Sequence, residues 1–405
     1  TDYAPTGTEL VTNGDFSAAS SNLITNPNFS NTGSELVTNG DFSTDTDWVK
    51  EAGWTISGGV ASFSGGSTNK HISQDIGITD TKSYKIVFTV SSISAGEVAV
   101  RFGGMSGVSE ITATATGTYT GYITANGSAN GDIFIEDNNN AFVGSISSIS
   151  VKELGEDWVV EKQSGTVTFA NEQVQIISDG TALQTGLKQD VLTSNKSYKV
   201  TIDVHSISGT LKLLMGGNGN VTLITSTGIQ TFYLSTATIT NNTFYLIRNI
   251  GDTVDVVINS VSVELLGEGW TLGGGWSIGE DKAVYDGTGG TQSIRQDVTV
   301  SANKYYRISV TVLANTGSTS TNPIYFGADL VNESYLPASA TPYVFYGLSD
   351  STDEYIWIYG RQSAVFEITN ITVQEMILTK IFPELAPPDI DAPYIVYSVV
   401  SNSPS

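Results

Sequence analysis

Cysteine is absent from the 405 residues, so neither a disulfide nor a thiolate metal site holds this chain together. Basic residues are scarce too: 18 Lys and Arg face 41 Asp and Glu, giving a net charge of −23 and a pI near 4.2. Neutralising nucleic-acid phosphates takes clustered Lys and Arg, and an anionic membrane surface asks for the same, so neither partner is expected. The two histidines, His71 and His205, lie too far apart in sequence to suggest a triad or a metal centre, and both read as surface or strand-edge residues. No Gly-x-Ser-x-Gly elbow, His-Glu-x-x-His helix or phosphate loop occurs. No apolar run reaches 18 residues, and no basic stretch followed by an apolar one opens the sequence, so neither a spanning helix nor a secretory leader is expected. Long Ala/Leu/Glu/Lys stretches are missing as well.

What remains is rich in Ser, Thr, Asn and Gly, with short Val/Ile/Thr/Tyr/Phe runs cut by turn residues. That is the pattern of an all-β chain. One opening stands out: Leu36-Val37-Thr38-Asn39-Gly40-Asp41-Phe42, followed by Trp48 and Trp54. Its first half occurs twice before, as Leu10-Val11-Thr12-Asn13-Gly14-Asp15-Phe16 and Leu23-Ile24-Thr25-Asn26-Pro27-Asn28-Phe29, at a spacing of 13 residues. A unit this small buries no core of its own. Two readings stay open. The first two copies are loosely held duplicates, or they complete a sheet edge elsewhere, in this chain or in a neighbouring subunit.

The region after the opening recurs as well. Gln74-Asp75, Gln189-Asp190 and Gln296-Asp297 mark one strand, Tyr84-Lys85, Tyr198-Lys199 and Tyr306-Arg307 a second, and Val151, Val263 and Val373 a closing one. The closing valines repeat at 112 and 110 residues, a period of tandem domains rather than of a short-repeat solenoid. Tyr84, Ile86, Phe88 and Val90 alternate with Lys85, Val87 and Thr89, as in an antiparallel sheet with one face on a core. The sequence therefore predicts an N-terminal strand-repeat arm (1–34), three antiparallel jelly-roll or β-sandwich modules (35–154, 155–266 and 267–376) and a Pro-rich tail (377–405) that holds five of the ten prolines.

The order of these motifs resembles the galactose-binding-like jelly rolls of the carbohydrate-binding-module type, over about 340 residues. Such modules are common in bacteriophage tail-fibre, head-fibre and decoration proteins. The resemblance implies a non-enzymatic virion surface protein of a tailed phage, made in the bacterial cytoplasm and released with the particle. Its partners would be other virion proteins, further copies of itself in a homo-oligomer, and surface glycans. The tail, Phe382-Pro383 through Pro393-Tyr394-Ile395-Val396-Tyr397, is similar to the start of phage tail-completion proteins and would serve as a docking strand. A secreted bacterial carbohydrate-binding protein or adhesin is the alternative, and a polysaccharide hydrolase a third reading.

Members of the family often carry a structural calcium ion beside the opening. Here Ser43 follows Asn39-Gly40-Asp41-Phe42 and the closing strands lack paired Asp, a departure from the family's ligands for that ion. By residue type alone, Asp132, Glu136 and Asp137 form one oxygen-rich cluster and Asp350, Asp353 and Glu354 another, and either would suit calcium; solvated loops are the plainer reading. Trp48, Trp158 and Trp270, and likewise Trp54 and Trp276, recur between modules, which points to packing. Sugar platforms are better sought among aromatics that do not repeat: Tyr343, Tyr346, Tyr355, Trp357 and Tyr359 of the third module. Alternation puts Tyr355, Trp357 and Tyr359 on one face of a strand. A core face is the commoner outcome for such a row, and an exposed one would be a platform.

Overall fold

The computed structural model describes residues 7–376, apart from 67–68, 106–108, 139–141, 163–164, 182–183, 218–220, 237–238, 240, 250, 317–320, 350–352 and 362. The chain is all-β, with no helix among the described residues, and it forms three β-sandwiches in tandem.

A short strand, β1 (Thr32–Glu35), precedes the first sandwich. Ten strands build that sandwich: β2 (Val49–Lys50), β3 (Trp54–Ser57), β4 (Val60–Phe63), β5 (His71–Asp75), β6 (Ser83–Ala95), β7 (Val98–Phe102), β8 (Glu110–Ala113), β9 (Gly117–Thr124), β10 (Asp132–Asp137) and β11 (Val143–Leu154). The second has β12 (Val159–Lys162), β13 (Thr166–Ala170), β14 (Gln173–Ser178), β15 (Thr185–Asp190), β16 (Ser197–Gly209), β17 (Leu211–Met215), β18 (Val221–Ile224), β19 (Gly228–Ser235), β20 (Thr243–Arg248) and β21 (Val254–Leu266). The third has β22 (Thr271–Leu272), β23 (Trp276–Gly279), β24 (Lys282–Tyr285), β25 (Gln292–Thr299), β26 (Tyr305–Thr316), β27 (Ile324–Phe326), β28 (Asp329–Asn332), β29 (Tyr343–Leu348), β30 (Asp353–Gly360) and β31 (Val365–Glu375).

Each module pairs two antiparallel sheets in one topology. In module 1 the hairpin sheet runs β3-β4-β11-β6-β9, and the opposing sheet runs β2-β5-β10-β7-β8; modules 2 and 3 repeat both orders strand for strand. The cores follow the alternation. Tyr84, Ile86, Phe88 and Val90 are buried, as are Tyr198, Val200, Ile202 and Val204, and Tyr306, Ile308, Val310 and Val312. Each leading tyrosine tucks its hydroxyl under a backbone N–H five residues upstream, that of Thr79, Thr193 or Ser301, at 2.9, 2.7 and 2.8 Å. Burial pushes the Tyr84 and Tyr198 phenols up, so each stays protonated as the partner of that N–H.

The arm is not loosely held. Its three repeats dock on the three modules in reverse order: Val11 and Phe16 join the core of module 3, Ile24 and Phe29 that of module 2, and Val37 and Phe42 that of module 1. The contacts are the same each time. Backbone N–H groups of Leu10, Leu23 and Leu36 donate to the carbonyls of Val373, Val263 and Val151, at 3.0, 2.8 and 3.0 Å. The glutamine of each Gln-Asp pair grips the arm threonine: Gln296, Gln189 and Gln74 accept from the N–H of Thr12, Thr25 and Thr38 and donate back to the same residue's carbonyl. Trp270, Trp158 and Trp48 donate their indole N–H to the carbonyls of Asn13, Asn26 and Asn39, and stack on Phe16, Phe29 and Phe42 at 5.2, 5.5 and 5.4 Å. All three phenylalanines have positive φ, at 60°, 57° and 52°, an uncommon state for a bulky residue that the buried stack holds in place. The recurring tryptophans thus serve packing.

Truncating one of these glutamines tests how much the grip contributes. Gln189→Ala leaves the N–H and carbonyl of Thr25 without their partner, so about 1–3 kcal/mol of module 2 stability should be lost, read as a lower urea midpoint with unchanged slope.

Candidate functional site

Register sets out a row of side chains across the outer face of each opposing sheet. In module 3 the row reads Thr271, Arg295, Trp357, Tyr325 and Leu330, on β22, β25, β30, β27 and β28. Ile356 and Ile358 point into the core and are fully buried, which turns Tyr355, Trp357 and Tyr359 outward. The expectation of a core face is thereby corrected: both faces of β30 are apolar, and the isoleucines take the inner one. Trp357 lies 6.0 Å from Tyr355 and 5.9 Å from Tyr359, and Tyr325 stands edge-on to Tyr359 at 5.6 Å. The Arg295 guanidinium sits 5.3 Å from the Trp357 ring and 5.6 Å from that of Tyr355, within cation–π reach of both. Tyr355 is 38% exposed, while Trp357, Tyr359 and Arg295 are half-buried. Burial pushes the Tyr359 hydroxyl up, keeping it a proton donor.

The same position is occupied differently in the sister modules. In module 1, Phe134 takes the place of Trp357; His71 stacks flat on it at 4.0 Å, and Arg101 lies 4.8 Å from its ring while ion-paired with Glu136. In module 2, Tyr245 has Lys188 at 5.9 Å, and Lys188 is paired with Glu161. No described carboxylate pairs with Arg295. Trp357 is also the odd indole of the six. The other five donate to backbone carbonyls, whereas its buried Nε1–H has no acceptor among the described residues. Module 3 therefore combines, on one face, four clustered rings and a guanidinium that pairs with no described carboxylate.

The other aromatic candidates lie elsewhere. Tyr343 and Tyr346 belong to β29, in the hairpin sheet; Tyr343 packs against the core and donates to the Pro337 carbonyl at 3.0 Å, and Tyr346 is 55% exposed. Arg295 and Tyr325 were not singled out from sequence. The signal for Arg295 was its place in the alternation just before Gln296, whose side chain faces inward to the arm.

Among the described residues the first acidic cluster does not converge on an ion, and the second falls partly outside them. Along β10, Glu136 faces outward to Arg101, whereas Asp137 turns inward and accepts the Phe142 N–H at 2.7 Å. Asp132 is half-buried at the other end of the strand. Asp350 lies outside the described residues, and Asp353 and Glu354 are the first two residues of β30. No group of three metal-ligating His, Asp or Glu side chains gathers among the described residues. His71 is the half-buried stacking partner described above, and His205 is exposed on β16.

A groove of about 320 Å³ runs over the hairpin sheet of module 1, lined by Ser62, Ser92, Ser145, Gly53 and Gly144. Three of its hydroxyls bond one another, Ser62 with Ser145 at 2.9 Å and Ser92 to Ser145 at 3.1 Å, and its lining carries no charged residue. The module 3 platform is the stronger candidate.

No family model and no curated protein matches the chain. Among solved structures, it is similar to the N-terminal CBM22-1–CBM22-2 tandem domain of Paenibacillus barcinonensis Xyn10C, at 10% identity over 58% of this chain and 99% of that one, with a TM-score of 0.25. It is similar to a fucolectin from striped bass (Morone saxatilis) serum, at 12% identity over 51% and 85%, with a TM-score of 0.20. A third is the triple jelly roll of an archaeal virus turret assembly, at 12% identity over 81% and 89%, with a TM-score of 0.18. Likeness at this level says nothing about a ligand.

Proposed function

We propose that the chain is a non-enzymatic surface structural protein that contacts glycans through module 3. The platform of Arg295, Tyr325, Tyr355, Trp357 and Tyr359 carries this reading. An indole or phenol face packs against the apolar face of a pyranose, and guanidinium and hydroxyl donors satisfy the ring oxygens and hydroxyls around it. With no described carboxylate paired to Arg295, sugars bearing a carboxylate gain a charge-assisted contact that neutral sugars lack. The rest of the molecule suits a spacer, because three like sandwiches stacked in series and strapped by one arm set a platform at a fixed distance from the far end. A virion surface of a tailed phage, beside other virion proteins, is the setting proposed for it; a bacterial adhesin would use the same platform.

The test is a glycan array followed by calorimetry on the full chain. Saturable binding should appear and fall about tenfold or more in Trp357→Ala, roughly the loss of one stacked ring. Binding equal in parent and variant would remove the platform from the reading. Immunogold labelling of particles and cells from the source culture separates the two settings.

A further inference from the structure

The two junctions inside the chain are built alike. At the first, the β3-type hairpin of module 2 (β13–β14) sits on β6 and β9 of module 1, with the Phe169 N–H donating to Ser83 Oγ at 3.0 Å and Tyr122 packed on the module 2 core. At the second, the β23–β24 hairpin of module 3 sits on β16 and β19 of module 2. There the Ile278 N–H donates to Ser197 Oγ at 2.8 Å, and Tyr233 lies so close to Gly279 that a Cβ added there would fall 2.8 Å from it. Each junction therefore has a donor and an acceptor. The donor is a tight hairpin that carries an apolar residue and then a small one, Phe169-Ala170 or Ile278-Gly279, before a two-residue turn with both φ positive. The acceptor is a serine beside a tyrosine from the neighbouring strand.

Both halves also occur at the ends of the stack, with no partner on them among the described residues. Module 1 offers the same hairpin, Ile56-Ser57 followed by Gly58 and Gly59 at φ 62° and 77°, and a Cβ added at either glycine would meet nothing within 4 Å. Module 3 offers the corresponding face with the serine replaced: register places Tyr305 where Ser83 and Ser197 stand, and keeps a tyrosine, Tyr346, where Tyr122 and Tyr233 stand. Ser83 and Ser197 are 2% and 0% exposed under their partners, whereas Tyr305 is 55% exposed. Two more substitutions make this end apolar: Leu348 replaces Thr124 and Ser235, and Val344 replaces Thr120 and Thr231. A module face that stays free in water is expected to be polar. Here the end face gains apolar surface relative to the two covered ones. A junction between separate chains needs that surplus, because no linker supplies the effective concentration that holds the internal junctions. In module 3, Gly7 and Met376 donate to the Glu375 and Tyr305 carbonyls beside this face.

We propose that this end face is an interaction surface for a second copy of the chain, which docks its module 1 hairpin on β26 and β29 of module 3. The contact is heterologous, so copies add head to tail and the three-module stack continues at the internal spacing. With −23 on each copy, screening strengthens the association, and added salt shifts it toward longer assemblies.

Sedimentation velocity on the full chain tests this with two variants. Tyr305→Asp spoils the acceptor and keeps the hairpin; Ser57→Arg spoils the hairpin and keeps the acceptor. Both residues are exposed, so each variant should keep the parental melting temperature, and Leu348→Lys replaces Tyr305→Asp if that variant fails to fold. The parent should grow in size with concentration and with salt, each variant alone should stay monomeric, and an equimolar mixture should stop at a dimer, since only one sound junction remains. A parent that stays monomeric overturns the proposal. So does association that ignores Ser57→Arg, which would mean a closed tail-to-tail dimer, or a mixture that fails to form dimers.

Discussion

Replacing Trp158 with alanine should destabilise module 2 by about 3–5 kcal/mol and at the same time release the middle arm repeat. The indole is 2% exposed, stacks on Phe29 at 5.5 Å and donates to the Asn26 carbonyl at 3.1 Å. Its loss opens a cavity among Phe29, Phe169 and Leu154, and it removes the main hold on a residue kept at positive φ. Two measurements separate these effects. Denaturant unfolding reads the stability, and native-state hydrogen exchange reads the arm, where protection over residues 22–29 should fall while residues 10–16 and 36–42 keep theirs. The neighbouring repeats have their own tryptophans, Trp270 and Trp48, so the loss should stay local. Unchanged protection over residues 22–29 in a destabilised variant would show that Trp158 serves only the core.

The arm shows where the sequence could be read and where it could not. Three openings and three module bodies could be counted, and alternation assigned the core face of β6. The partner of each opening was not written in any one repeat, because Leu-Val/Ile-Thr-Asn and Phe fit all three modules alike. Chain length settles it. Phe42 and Trp48 are six residues apart, which keeps the third repeat at home. Residues 30–35 then reach about 20 Å at full extension, so the second repeat meets only the adjacent module, and the first is carried one module further. The reversed order thus follows from tether lengths rather than from recognition.

The platform was half legible for a different reason. Period-two alternation grouped Tyr355, Trp357 and Tyr359, yet the strand reads Tyr-Ile-Trp-Ile-Tyr, apolar on both faces, so the pattern could not say which face is inside. The structure shows that Ile356 and Ile358 take the inner face, both fully buried, and leave the rings on the outer one. Tyr343 and Tyr346 were grouped with them as aromatics that do not repeat, whereas register sets Tyr346 level with Tyr122 and Tyr233, and the sandwich separates β29 from β30 into opposite sheets. Arg295 and Tyr325 joined the site only through cross-strand register, which no single strand reveals.

A buried ion pair at the corresponding place in module 1 gives the second large effect. Arg101→Leu should destabilise module 1 by about 3–5 kcal/mol, because Glu136 keeps its charge with its partner gone. The two side chains are 9% and 11% exposed, and the guanidinium also donates to the Phe102 carbonyl at 3.3 Å. Register shows that the fold itself does not ask for this charge. The same two positions hold Leu214 and Ile247 in module 2, and Tyr325 and Tyr359 in module 3. The double variant Arg101→Leu/Glu136→Ile copies the module 2 solution and should recover to within about 1 kcal/mol of the parent, since well-packed apolar pairs often match buried ion pairs. Urea unfolding of the parent, both single variants and the double closes the cycle. A double variant as unstable as Arg101→Leu alone would mean that the pair is built into module 1 beyond its own contact, through the stack of Phe134 and His71. Recovery would instead show one scaffold accepting an ionic, an aliphatic and an aromatic pair at one position, with the outer face free to vary while the core stays fixed. That freedom is what lets module 3 carry a platform its sisters lack.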